Sequence, residues 1–177
     1  MAHAQGTQGI KNALLAGVVS IEHGIYLTDE IIELMLQKDA YLVPTLIAPV
    51  AVVKFSVDHP DLLPPMMATK AVSVIEAHQQ SFRMAVEAGV KIAMGTDSGV
   101  GRHGENGQEL QLMVENGMTP MQAIVASTSS AARLLRLDNK LGTLEEGKLA
   151  DIIVVDGDVL SNITSIANPT NVKLVLK

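Results

Sequence analysis

Short apolar runs recur along the chain, each followed by a stretch of helical periodicity, and this alternation constrains the fold more than any other feature. The run "VVSIEHG" precedes "TDEIIELMLQKD", which places Ile31, Leu34 and Met35 on one helical face. "AYLVPTL" and "VKIAMGTDSG" are further β-rich runs, and the start "MAHAQG" reads as the end of a strand before the helical "TQGIKNALLAG", stopped by Gly17. Four strand-helix units result. Parallel neighbours need a crossover, usually a helix, so the pattern predicts an α/β fold with a parallel sheet.

The segment carrying Pro49, Pro60, Pro64 and Pro65 reads as a loop leading into a long helix from about Pro65 to Ala88, ended by Gly89. "QELQLMVENG" and "TPMQAIVASTSSAARLL" read as helices, the second starting at Thr119 and Pro120, an N-cap followed by a first-turn proline. Beyond them, "LGTLEEGKLADIIVVDGD" and "NVKLVLK" give two β-rich stretches with no long helix between. They predict a small appended β element.

Composition narrows the partners. The 177 residues carry a net charge of −6, no basic run and very few aromatic side chains, which argues against nucleic acid or an anionic membrane and for a small-molecule or peptide ligand. Cysteine is absent, so a disulfide, a thiolate nucleophile and a Cys-ligated zinc are excluded, and any metal site must draw on His, Asp, Glu or a modified side chain. The longest apolar stretch, "LIAPVAVV", is too short to span a bilayer, and "MAHAQGTQGIKN" lacks the basic and apolar regions of a signal peptide. A cytoplasmic location is the expectation.

The chemistry-bearing residues His3, His23, Thr45 and Asp97 all fall at or just beyond the carboxyl end of an expected strand. In parallel α/β folds those ends share one rim, which carries the active site. Two imidazoles and a carboxylate on one rim suit a divalent metal such as zinc, which would acidify a bound water. Taken singly, His3 reads as a loose terminus, His23 as a buried hydrogen-bonded histidine and Asp97 as a cap; their shared position favours a site. Glu22 reads as a support for its neighbour, His59 and His78 as surface or packing residues. The Gly-rich "GRHGENG", with His103, Glu105 and Asn106, is either a solvated loop or a substrate contact.

The stretches "AHAQG", "SIEHG", "GTDSG", "HGENGQEL", "MVENGMTPMQAIVASTSSAARLL" and "LGTLEEGKLADIIVVDGD" resemble the second half of an amidohydrolase-superfamily protein. The resemblance lies with the branch of imidazolonepropionase-like proteins and metal-dependent Xaa-Pro dipeptidases or carboxypeptidases. It implies that residues 1–137 are the C-terminal half of a TIM-like (β/α)8 barrel, four βα units, and that residues 138–177 belong to a small β-sandwich. It also implies a binuclear centre, usually zinc, with His3, His23 and Asp97 as ligands and Asp97 as the proton shuttle. Tyr26, His103 and Asn106 then fall in loops placed to hold substrate.

The expected activity is hydrolysis of a C–N bond in a small peptide or cyclic amide by metal-activated water. The first-strand His-x-His pair, the carboxylated lysine and half the barrel are missing from the pattern, and a barrel of this kind needs about 250 residues. Inactivity in isolation is therefore expected, as is a homo-oligomer or a missing N-terminal half that covers the open sheet edges. Two other readings stand beside it: a non-catalytic α/β fragment or oligomerisation module, and a flavodoxin-like binding domain, which lacks a phosphate-binding fingerprint here.

Overall fold

The computed structural model describes residues 1–177, the side chain of Pro65 excepted. Four strands, β1 (Ala2–Ala4), β2 (Ser20–His23), β3 (Tyr41–Val43) and β4 (Lys91–Ile92), form a parallel sheet in the order β1-β2-β3-β4. Ala2, Ile21, Leu42 and Ile92 lie side by side in register and make one apolar row across it. Because side chains alternate along a strand, the next row, His3, Glu22 and Val43, points to the opposite face.

The apolar row packs against helices. α1 (Thr7–Leu15) contributes Ile10 and Leu14, and α2 (Asp29–Gln37) contributes Ile31 and Met35, all without exposure. Thr28 caps α2 by accepting from the Ile31 N–H, and Asp29 and Glu30 sit where the helix dipole favours negative charge. Between β3 and β4 the chain makes a helical hairpin of α3 (Ile47–Asp58) and α4 (Pro65–Ala88), which pack on each other. α4 ends at Gly89 in the left-handed conformation, as the sequence predicts, and sends Phe82 into the core.

α3 corrects the expectation of a loop over the proline-bearing segment. Pro49 stands third in the helix, within the first turn, where a backbone N–H has no intrahelical partner and its loss costs nothing.

α5 (Gly107–Glu115) and α6 (Pro120–Val125) follow, and α6 starts with a complete capping box between Thr119 and Gln122. The helix expected to run on to Leu135 is interrupted by a π turn at Ala126–Ser130 before α7 (Ala131–Leu134). The interruption ties this helix to the sheet: the Ala126 carbonyl accepts from the Met94 N–H, and Ser130 Oγ donates to the Ile92 carbonyl.

In the tail, β5 (Ile152–Val155) pairs antiparallel with β6 (Val172–Leu176), and α8 (Thr164–Ala167) lies between them in sequence. α8 packs so closely on the start of α5 that a Cβ on Gly107 would lie 2.7 Å from the Ile166 carbonyl oxygen. Among the described residues no helix is long and apolar enough to cross a membrane.

Phe82 is the largest fully buried side chain among the described residues, so truncating it removes core contacts and opens a cavity. Phe82→Ala is expected to lower unfolding stability by about 3–5 kcal/mol, read as a reduced urea midpoint at unchanged slope.

Candidate functional site

Among the described residues, three of the five non-glycine residues with positive φ stand at or beyond the carboxyl ends of the parallel strands: His23 (φ 75°), Thr45 (φ 54°) and Asp97 (φ 51°). A left-handed backbone is costly for any side chain and most for a β-branched one, by about 1–3 kcal/mol. Such strain collects where a rigid scaffold turns side chains toward a common point.

His3 Nδ1 lies 2.8 Å from His23 Nε2, with the rings 4.4 Å apart and crossed at 70°. The other His23 nitrogen, Nδ1, is 2.6 Å from Thr45 Oγ1. Behind the ring, His78 Nε2 donates to the His23 carbonyl at 3.0 Å. The sequence placed His78 among surface or packing residues; it is buried, it lines the site and it holds the backbone of His23. Burial pushes the His78 pKa down to about 4, outweighing the pull of the His23 and Pro44 carbonyls, so the ring is neutral and its proton sits on Nε2. Its Nδ1 has no hydrogen-bond partner. Burial, then repulsion from His3, lowers the His23 pKa against the attraction of Asp97, which favours the uncharged imidazole.

His3, His23, His78 and Asp97 line one cavity of about 350 Å³. The α3–α4 hairpin supplies its opposite wall: Ala48 and Val52 from one helix, Met67, Ala71 and Val74 from the other. Lys70 is the one lysine or arginine in this wall, and it makes no ion pair among the described residues.

The remaining predicted positions lie elsewhere. The Tyr26 side chain is exposed and His103 sits on an exposed turn; neither lines the cavity. Asn106 accepts from the Gly104 N–H and donates to Thr96 Oγ1 (3.1 Å) and Ser98 Oγ (3.0 Å), so it clamps the Gly-rich loop onto the residues flanking Asp97. Glu22 accepts from Ser20 Oγ, and His59 packs its ring on Phe55.

Glu109, on α5, went unnoticed in the sequence. It is fully buried, and its two carboxylate oxygens accept the Leu46 and Ile47 N–H groups at 2.8 Å each, at the start of α3. Its signal was present: Glu109 shares the i, i+4, i+7 stripe with buried Met113 and Asn116, so a carboxylate occupies the inward face of its helix.

As a metal site the arrangement is partial. Two imidazoles meet nitrogen to nitrogen with a carboxylate on the same cavity, a donor set suited to zinc and similar divalent ions. Among the described residues no group of three His, Asp or Glu side chains closes on one point.

Residues 1–177 match the family model described as "Amidohydrolase family". Ochratoxinase from Aspergillus niger is 35% identical over 99% of the chain, which spans 36% of that protein; its crystal structure superimposes with a TM-score of 0.82. A Xaa-Pro dipeptidase with bound methionine in the active site gives a TM-score of 0.90 at 44% identity, covering 99% of this chain and 42% of that one. A prolidase complexed with N-methylphosphonate-L-proline gives 0.91 at 31% identity, covering 100% and 43%. The chain thus spans about two fifths of the length of these relatives.

Burial raises the Glu109 pKa to about 7 from its ordinary 4.5, against the opposing pull of the Ile47 and Leu46 amides. Between those values the folded chain holds a proton that the unfolded chain releases, so this group's contribution to stability falls as pH rises through the window. Urea unfolding measured from pH 4.5 to 7 is expected to show that decline in the wild type and a flatter profile in Glu109→Gln.

Proposed function

The chain belongs to the amidohydrolase family, and on that premise we propose that it is the C-terminal part of a metal-dependent hydrolase that cleaves a C–N bond in a small peptide or cyclic amide. The observation that carries this reading is the meeting of His3, His23 and Asp97 at one cavity beyond the ends of parallel strands. In it, residues 1–137 form half of a TIM-like barrel, β1 and β4 are the edges where the other half joins, and residues 138–177 belong to a β-sandwich. The further metal donors then come from the remainder of the protein or from a partner chain.

His3 and His23 would hold the ion, zinc in this reading, and Thr45 Oγ1 sets the orientation of the His23 ring, the kind of outer hydrogen bond that tunes a ligand. The chemistry such an ion supplies when bound is acidification of water and polarisation of the scissile carbonyl. Asp97 takes the proton from the attacking water and returns it to the leaving nitrogen. The hairpin gives the cavity an apolar wall for the substrate's hydrocarbon part, and Lys70 offers its ammonium to a substrate carboxylate. The relatives support a carboxylate-bearing substrate: one solved structure holds methionine and another N-methylphosphonate-L-proline.

Calorimetric titration of zinc into the chelator-stripped chain tests the metal site directly. Specific binding that disappears in His23→Ala is expected, and no specific binding by the complete protein would overturn the site. In the complete enzyme, Asp97→Asn is expected to cut kcat by about 10²–10⁴-fold while the protein stays folded. Lys70→Met is expected to raise KM about tenfold, equivalent to about 1.4 kcal/mol, for substrates with a free carboxylate and to leave amidated ones unchanged.

A further inference from the structure

Glu109 is the one buried acidic side chain among the described residues, and it spends both oxygens on backbone. The amides it holds lie 62 and 63 residues away in sequence, at the start of α3. No local side chain caps that helix: the residue at the capping position is Leu46, which has no hydrogen-bonding group to offer. Without Glu109 these two first-turn N–H groups would be buried and unpaired.

The geometry carries the effect one residue further back. A peptide unit is planar, so fixing its N–H also fixes the carbonyl at its other end. In the unit joining Thr45 to Leu46, the N–H is held by Glu109 and the Thr45 carbonyl by the Ala48 N–H at 3.0 Å. Both ends of the plane are pinned, and with them ψ of Thr45. This is the β-branched residue whose backbone has a positive φ of 54° and whose Oγ1 reaches His23 Nδ1 at 2.6 Å.

We propose that Glu109 is a positioning residue for His23: by gripping the Leu46 and Ile47 amides it holds Thr45 in the left-handed conformation from which Thr45 Oγ1 orients the His23 imidazole. Its consequence for turnover rests on the hydrolase reading given above; its consequence for the ring does not. Thr45 makes the contact and Glu109 acts through it. Above about pH 7, where Glu109 is ionised, a carboxylate suits the task because two divergent amides need two acceptors, whereas a glutamine offers one acceptor and an NH2 group that would face an N–H.

The test reads the imidazole itself. In the full-length protein carrying ¹⁵N-histidine, long-range ¹H–¹⁵N spectra report the Nδ1 and Nε2 shifts of His23. Thr45→Val defines the signature of a lost Oγ1 contact. Glu109→Gln is expected to move both nitrogens in the same direction by at least half that amount. Asn116→Ala, which breaks two part-buried hydrogen bonds at the C-terminal end of α5, away from the Leu46 and Ile47 amides, is expected to leave them in place. A folded Glu109→Gln protein with unmoved His23 nitrogens overturns the proposal, as does an equal shift in Asn116→Ala.

If Glu109→Gln does not fold, Glu109→Asp, a carboxylate one methylene shorter, gives the reading: a smaller shift in the same direction supports the proposal and no shift overturns it. Where turnover is measurable, kcat is expected to fall about tenfold or more with KM within about twofold. A shifted ring in a protein without hydrolase activity sinks the hydrolase reading and supports the positioning role. An unmoved ring in an active protein does the reverse.

Discussion

Parallel pairing of β1 to β4 is the constraint from which the rest of this structure follows. It obliges every connection to cross back over the sheet, which calls up the helices, and it gathers all the strand ends with the same polarity on one rim. The register then divides the work between the two faces. Ala2, Ile21, Leu42 and Ile92 face the helices and supply cohesion, while the offset row beginning with His3 points the other way, free of the core. Shifting one strand by a single residue would exchange the two sets, so the pairing that builds the core is also what aims the first histidine of the site.

Much of this was legible because it is local. Strand-helix alternation, the Thr119 cap, the Gly17 and Gly89 stops and the placement of His3, His23 and Asp97 near or beyond strand ends all follow from windows of about ten residues. The family resemblance rested on the same short motifs, and the family match runs the length of the chain. What escaped was non-local. α3 was hidden because prolines are commonly read as breaks and because its cap comes from Glu109, far along the chain. His78 was dismissed because helical periodicity cannot tell a packed histidine from one that bonds the backbone of another element.

The same limit applies within the site. By resemblance, Tyr26, His103 and Asn106 fall in loops placed to hold substrate, and a loop can fold toward the cavity or along its rim. Asn106 does the latter, spending its side chain on Thr96, Ser98 and the Gly104 amide. The cavity wall comes instead from the hairpin of α3 and α4, whose inward residues look in sequence like any other apolar helix surface.

The left-handed residues at the strand ends carry an implication for how such a chain can change. At positions 23, 45 and 97 glycine would relieve the backbone, since it pays no steric penalty for positive φ. A search for thermostable variants that ignores activity is therefore drawn toward erasing the imidazole, the hydroxyl and the carboxylate. Strain at these three places is a running tension between durability and chemistry, and their side chains are the part of the molecule that stability alone would not keep.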